Sequence, residues 1–464
     1  MRRLAYVAAL LAGCTTLGPD YERPGMALPR TYPGDGAGEA VPLAPEWWQS
    51  FGDAKLDELV AAARAANSDL RLAAARVQEA EALAREAGAA FTPEVLAGAG
   101  ATRSRVSRRT EPPAGAPLER TQYQLLASTS FEIDFWGRYA RTAEAARANL
   151  LAARYTHALV DLSLAGAVAQ SYFTLRALDA QLAVLDETLR LRGESLAIAR
   201  ARLQAGLGGE LDVFQAQAAV ADAQVQRRET GRGRALVERQ LATLTGRLEL
   251  SLPAAALGPE LFALPVPPAP PAGLPSALLE RRPDIRAAEQ QLVAANALIG
   301  AARAALFPSI SLTGALGAQS AELSDLLASG AGIWSLGAGL ALPIFDGGRR
   351  SARVEQAEAR RAQALAAYQR AVESGFREVS DALVSLAETA ASEAELRARL
   401  AAARGALELS TLRYESGYSP YLEVLDAQRT ANDAELALVR NRLARLAFSV
   451  DLMKALGGGW READ

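Results

Sequence analysis

Apolar residues recur through the segment 168–203 at the spacing of a supercoiled helix. Val168, Tyr172, Leu175, Leu178, Leu182, Leu185, Leu189, Leu196 and Leu203 advance in steps of three, four and seven, close to the 3.5-residue repeat that keeps one seam against a partner helix. An amphipathic helix on a compact core rarely holds such a seam for so many turns. Prolines crowd between Pro19 and Pro45 and between Pro253 and Pro283, and none occurs from Leu118 to Leu252 or from Ile344 to Ser419. A proline costs about 3 kcal/mol inside a helix, and the proline-free stretches are rich in the strongest helix formers, so very long helices are predicted. A continuous helix from Gly137 to Gly206 would run about 100 Å at 1.5 Å per residue. No ordinary globular domain has room for that.

A second pattern interrupts the first. Val95 to Ala101, Tyr123 to Phe131, Ile310 to Gly317 and Ile333 to Leu342 are low in charge, rich in small and apolar residues, and partly alternate with period two. They predict four strands in two hairpins. The first is joined by a polar loop holding Arg103, Arg105, Arg108, Arg109 and Pro112-Pro113, the second by residues 319–330. Four strands of about ten residues are long enough to cross a bilayer at a tilt, but the smallest closed barrels have about eight. Unpaired strand edges cannot sit in lipid, so the barrel must be shared between two, three or four copies of the chain.

The halves of the chain repeat each other. Gly206 matches Gly417, Leu211-Asp212-Val213-Phe214-Gln215-Ala216-Gln217 matches Leu422-Glu423-Val424-Leu425-Asp426-Ala427-Gln428, and Gly137-Arg138 matches Gly348-Arg349, all at an offset of 211. Upstream, Asp69-Leu70-Arg71 matches Asp284-Ile285-Arg286 and Pro93 matches Pro308 at an offset of 215, so four residues are absorbed between Pro93 and Gly137. The expected organisation is an N-terminal segment 14–60, a first repeat 61–252, a Pro-rich linker 253–283, a second repeat 284–457 and a tail 458–464. Each repeat reads helix, strand hairpin, long helix, turn, helix.

Composition removes alternatives. The 464 residues are 50% hydrophobic, yet beyond the first dozen no run of about 18 uncharged apolar residues predicts a transmembrane helix. One cysteine and one histidine, His157, cannot supply a Cys/His zinc site, and no nucleophile-base pair or phosphate loop stands out, so neither enzyme, metal nor cofactor is expected. A formal charge of -3 argues against nucleic acid. At the N-terminus, Arg2 and Arg3 precede an apolar Leu4 to Ala12 and then Leu11-Ala12-Gly13-Cys14. This looks like a short secretory signal, residues 1–13, ending in a bacterial lipobox, with lipid attached at Cys14. Thr15, where an Asp would signal inner-membrane retention, points to the outer membrane.

Several stretches together strongly resemble the TolC-like outer-membrane efflux family, and its lipoprotein branch typified by OprM. They are the lipobox followed by Gly18-Pro19-Asp20-Tyr21-Glu22-Arg23-Pro24, then Trp47-Trp48 with Phe51 and Asp53, then Arg282-Pro283-Asp284-Ile285-Arg286-Ala287-Ala288-Glu289. Ala295-Asn296-Ala297 through Phe307-Pro308, the two tip motifs and Ala455-Leu456-Gly457-Gly458-Gly459-Trp460 complete the set, in order, over nearly the whole chain. The resemblance implies an α+β membrane protein. A trimer would build one 12-stranded outer-membrane β-barrel, four strands per chain, continued by a long periplasmic α-helical coiled-coil barrel. It implies the exit duct of a tripartite efflux pump, with a periplasmic adaptor and an inner-membrane RND-type pump as partners.

The same resemblance assigns residues. Adaptor docking falls on the turns 202–213 and 413–424, with Gly206, Leu207, Gly417, Tyr418 and Ser419 at their tips. Leu422 and Asp426 match the apolar and acidic rings of the closed pore, and Asp212, Tyr414 and Glu423 match linking positions near the tip, Glu423 replacing an Asp. Ser419 stands where the family carries an Arg, so that ionic link is expected to be absent. Three Asp426 carboxylates near one axis would repel one another or draw in a cation, making opening sensitive to pH and salt. The alternatives are a non-conducting envelope-bridging coiled-coil lipoprotein, which would have no use for two strand hairpins, and the exit duct of a type I secretion system.

Overall fold

The computed structural model describes residues 16–26, 44–110, 117–254 and 278–460. The signal segment 1–13, the lipid attachment at Cys14 and most of the Pro-rich linker lie outside the described residues. The elements run α1 (Ala54–Ala66), α2 (Ser68–Ala89), β1 (Glu94–Arg105), β2 (Glu119–Ile133), α3 (Arg138–Gln204) and α4 (Glu210–Leu244). A short α5 (Leu278–Arg281) opens the second series: α6 (Pro283–Ala304), β3 (Ser309–Ser320), β4 (Gly332–Ala341), α7 (Arg349–Glu415) and α8 (Tyr421–Ala455). The series mirror each other in length as well as order, with 22 residues in α2 and α6, 67 in α3 and α7, and 35 in α4 and α8.

All four predicted strands form, and the first hairpin is longer than expected. Arg103 and Arg105, read as loop residues from their charge, are the last rungs of β1, and β2 begins at Glu119 opposite Arg105. Charge does not end a strand whose backbone partners continue. The second loop likewise starts only after Ser320. Both helices that follow a hairpin open on glycines with positive φ: Gly137 before α3, and Gly347 with Gly348 before α7. Beside them Asp134 accepts from Ala140 N–H and Asp346 from Gly348 and Arg350 N–H. Asp346-Gly347-Gly348-Arg349 is therefore a strand-to-helix joint.

The described residues fall into two compact units. The first, within 1–25, 77–153 and 288–368, holds the sheet, ordered β1-β2-β3-β4 and antiparallel throughout. Here the Gly18 to Pro24 motif lies as a strap on α6. A Cβ on Gly18 would stand 2.4 Å from Gly300 Cα, so two glycines permit this backbone contact. Arg141 donates to Leu17 O (3.2 Å) and Asp20 (2.7 Å), and Asn296 to Pro19 O (2.8 Å). Glu289, 4% exposed, accepts from Arg23 at 2.6 and 2.9 Å and from the Tyr21 hydroxyl at 3.1 Å.

The second unit, within 26–76, 154–287 and 369–464, contains a core built on Trp47, Trp48 and Phe51, all under 7% exposed, against Leu56, Leu59 and Val60 of α1 and Val168, Tyr172 and Phe173 of α3. The tryptophans are thus packing residues. Asp53 caps α1 by accepting from Lys55 and Leu56 N–H, and its other oxygen takes the Tyr172 hydroxyl at 2.7 Å. Part of α3 is apolar enough to pass for a membrane span, against the expectation from sequence, but half of that window is buried within the protein. Its apolar face is this core, and its Asp161 is held by Arg64. His157 is half-buried on the same helix.

Glu393 of α7 is a charge hub of the second unit. Burial disfavours its charge most, but Arg442, Arg397 and Arg445 within 3.1 Å outweigh that cost and hold the carboxyl below its usual 4.5. A depressed carboxylate stabilises the fold above its unfolded pKa and loses that contribution as pH falls through the folded value. Acid unfolding should therefore steepen below pH 4.5 in the parent. Glu393→Gln should lower stability at neutral pH and flatten that slope, as thermal melts between pH 3 and 7 would register.

Candidate functional site

Two features stand out: a sheet with unlike faces and a pair of apposed helix turns. Alternation places Val95, Ala97, Ala99 and Ala101 of β1, Tyr123, Leu125, Ala127, Phe131 and Ile133 of β2, Ile310, Leu312 and Leu316 of β3, and Trp334, Leu336 and Leu340 of β4 on one face. The opposite face carries Gln122, Gln124, Ser128, Ser130, Ser309, Ser311, Thr313 and Gln319. Most of these apolar side chains are bare within the chain, Trp334 being 75% and Leu336 81% exposed, while Tyr123, Phe131 and Ile310 are half-buried. β1 and β4 each have one partner, so both sheet edges are open among the described residues. A large apolar face beside open edges is incompatible with an isolated sheet in water.

In the second unit, each turn is a helix C-cap built on glycine. Gly206 has φ 70° and Gly417 φ 81°. Leu207 N–H reaches back to Arg202 O and Tyr418 N–H to Arg413 O, both at 2.8 Å, while the glycine N–H groups bond to Leu203 O and Tyr414 O. This double closure caps the orphan carbonyls and reverses the chain into α4 and α8. Leu207 and Tyr418, at the tips, are 72% and 81% exposed.

The two turns pack on each other through Ala199, Val213, Ala216, Tyr414, Tyr421 and Val424. Tyr414 and Tyr421 rings lie 5.5 Å apart. Arg202 crosses from α3 to α7, donating through Nη1 to the Tyr414 carbonyl at 2.6 Å and lying 4.8 Å from the centre of that ring. The Tyr414 hydroxyl is buried without a hydrogen-bond partner. Burial, and then the charge of Asp212, push its pKa above the usual 10.0.

Among the residues singled out from the sequence, Asp212 and Tyr414 therefore come together, and Glu423 pairs with Arg413 at 3.5 Å. Leu422 and Asp426 lie outside the buried cluster, four residues apart on an exposed stripe of α8. Asp426 is accompanied by Arg429 at 3.3 Å, which offsets its charge. Ser419 Oγ is buried with no hydrogen-bond partner. Sequence reasoning missed Arg202 and Arg429. Arg429 was legible as the i+3 partner of Asp426, but Arg202 binds a backbone carbonyl, which leaves no mark in a sequence pattern.

Comparison with known proteins adds the lineage. The profile of the family described as "Outer membrane efflux protein" matches residues 59–247 and 274–458. The chain is 35% identical over 469 residues to the solvent efflux pump outer membrane protein SrpC of Pseudomonas putida, covering 98% of this chain and 97% of SrpC. It is 37% identical over 467 residues to outer membrane protein OprJ of Pseudomonas aeruginosa, covering 99% and 96%. The solved outer-membrane channel OprN superposes with a TM-score of 0.89 at 30% identity, over 96% of this chain and all of that one. The open state of the Neisseria gonorrhoeae MtrE outer membrane channel gives 0.86 at 32%, over 96% and 99%. The chain thus belongs to the outer membrane efflux protein family, the channels of the outer membrane.

Proposed function

We propose that three copies close their sheets, β1 of one against β4 of the next, into a 12-stranded barrel that conducts solutes passively out of the periplasm. The observation that carries this reading is the two-faced sheet with open edges. Closure pairs every edge, turns the apolar face to lipid and leaves the Gln, Ser and Thr face lining water. A duct of this kind needs no catalytic group; energy comes from an inner-membrane RND-type pump joined through a periplasmic adaptor. The relatives' names, which include solvent, toluene and antibiotic efflux, support the same role. Cys14 would carry the lipid anchor, and the strap on α6 would tie that anchor to the sheet unit.

In this reading the helix turns are both dock and gate. Leu207 and Tyr418 offer exposed apolar surface at each tip, and the two repeats in three chains would give six quasi-equivalent places for adaptor hairpins. Leu422 and Asp426 would form the constricting rings, with Arg429 tempering the mutual repulsion of the carboxylates. Photo-crosslinking residues placed at Leu207 and Tyr418 in living cells, followed by mass spectrometry, test the reading. Adducts with a periplasmic adaptor, and self-adducts no larger than a trimer, are expected. Tips that capture no adaptor while the protein is correctly inserted would overturn the docking role.

A further inference from the structure

The arginines at the hairpin end of β1 and β2 have a position that charge alone did not reveal. Arg103 pairs with Thr121 and Arg105 with Glu119, which puts both on the apolar face, in line with Val95, Ala97, Ala99 and Ala101. On β2 that band runs from Ile133 to Tyr123, about 34 Å along the strand at 3.4 Å per residue, or ~26 Å of height at a 40° tilt. This matches the roughly 25 Å apolar belt of outer-membrane barrels. Arg103 stands opposite the residue two places beyond Tyr123, and so ~5 Å above the belt on the same geometry, at the height of lipid headgroups. The hairpin end is the one remote from the helix-linked ends of both strands, hence the outer leaflet.

We infer that this end of the sheet binds the phosphate groups of outer-leaflet lipid. Arg103 and Arg105, 75% and 64% exposed, share one carboxylate, Glu119, at 2.9 and 3.6 Å. Arg108 and Arg109 follow in the turn Arg108–Thr110 and are exposed. On this hairpin end four guanidinium groups stand against Glu119 among the described residues, and with Glu322 and Asp325 on the neighbouring β3–β4 connection the balance stays positive; the planar guanidinium suits bidentate phosphate contact. The acyl chains of the same lipid would lie against the apolar face below. Arg120, by alternation, points to the polar face and takes no part.

The test is native mass spectrometry of the full-length protein in detergent with diphosphorylated lipid A, and with the same lipid stripped of its phosphates. Wild type should retain the phosphorylated form preferentially. Arg103→Gln with Arg105→Gln, Arg108→Gln and Arg109→Gln should weaken retention at least tenfold, since each basic residue near an anionic surface contributes roughly fivefold, while Arg120→Gln should change nothing. Should the quadruple variant fail to assemble, Arg108→Gln with Arg109→Gln alone should still give a loss of several-fold. Equal retention of the stripped lipid, unchanged binding in the variants, or an equal loss in Arg120→Gln would overturn the inference.

Discussion

Replacing Arg202 with alanine is expected to raise the open probability of the channel by about tenfold or more. The side chain makes a charge-assisted hydrogen bond to the Tyr414 carbonyl and lies over the Tyr414 ring, and in the proposed gate, opening parts the two tips and breaks both contacts. A hydrogen bond to a charged donor and a cation–π contact together contribute about 2 kcal/mol, a factor of ~30 in a two-state equilibrium; solvent replacing part of the contact reduces that. Tyr414→Phe separates the contributions. Arg202 uses the carbonyl and the ring, while the hydroxyl is buried without a partner, so the phenylalanine variant should gate as wild type or close slightly more firmly. Bilayer recordings of both variants decide the matter: a leaky Tyr414→Phe with a tight Arg202→Ala would mean that the hydroxyl, through a group outside the chain, is the true tie.

The second large effect should come from the strap. Arg23→Met leaves the Glu289 carboxylate, 5% exposed at its side chain, without its bidentate partner. Breaking a fully buried pair costs about 3–5 kcal/mol; because Arg23 is itself 39% exposed, roughly 2–3 kcal/mol is the expected loss. Adding Glu289→Met removes the stranded charge and should recover much of it. Apparent melting temperatures at one scan rate, read from the heat-induced mobility shift on gels, would show a clear drop for the single variant and partial recovery for the double. No drop in the single variant would show that the strap is not a fastening of the sheet unit.

The elements with strong periodic signals were legible in the sequence. The Leu175, Leu182 and Leu189 seam and the absence of proline marked α3, and the repeat carried that reading to α7. The strand hairpins were placed by symmetry more than by pattern, because short runs such as Val95 to Ala101 alternate between alanine and glycine with little contrast in hydropathy. Their ends are not legible where arginines continue a ladder that backbone hydrogen bonds, and not side chains, sustain. Long-range contacts were not legible at all: Arg23 meets Glu289 across 266 positions, and the Gly18 to Pro24 motif signalled only that something was there. Trp47 and Trp48 could have been interfacial anchors by type, and only the surrounding core assigns them to packing. At the tips, glycine spacing located the turns, but a carbonyl acceptor such as that of Tyr414 is invisible to residue identity.

Single-channel recording of the purified full-length protein in a planar lipid bilayer tests the central claim most directly. Discrete ion-conducting events are expected, with the closed state dominant in wild type and open probability increased by Leu422→Ala combined with Asp426→Ala. Protein that inserts with an intact heat-modifiable fold, yet conducts neither as wild type nor with both gate substitutions, would contradict a duct and leave a tether in its place.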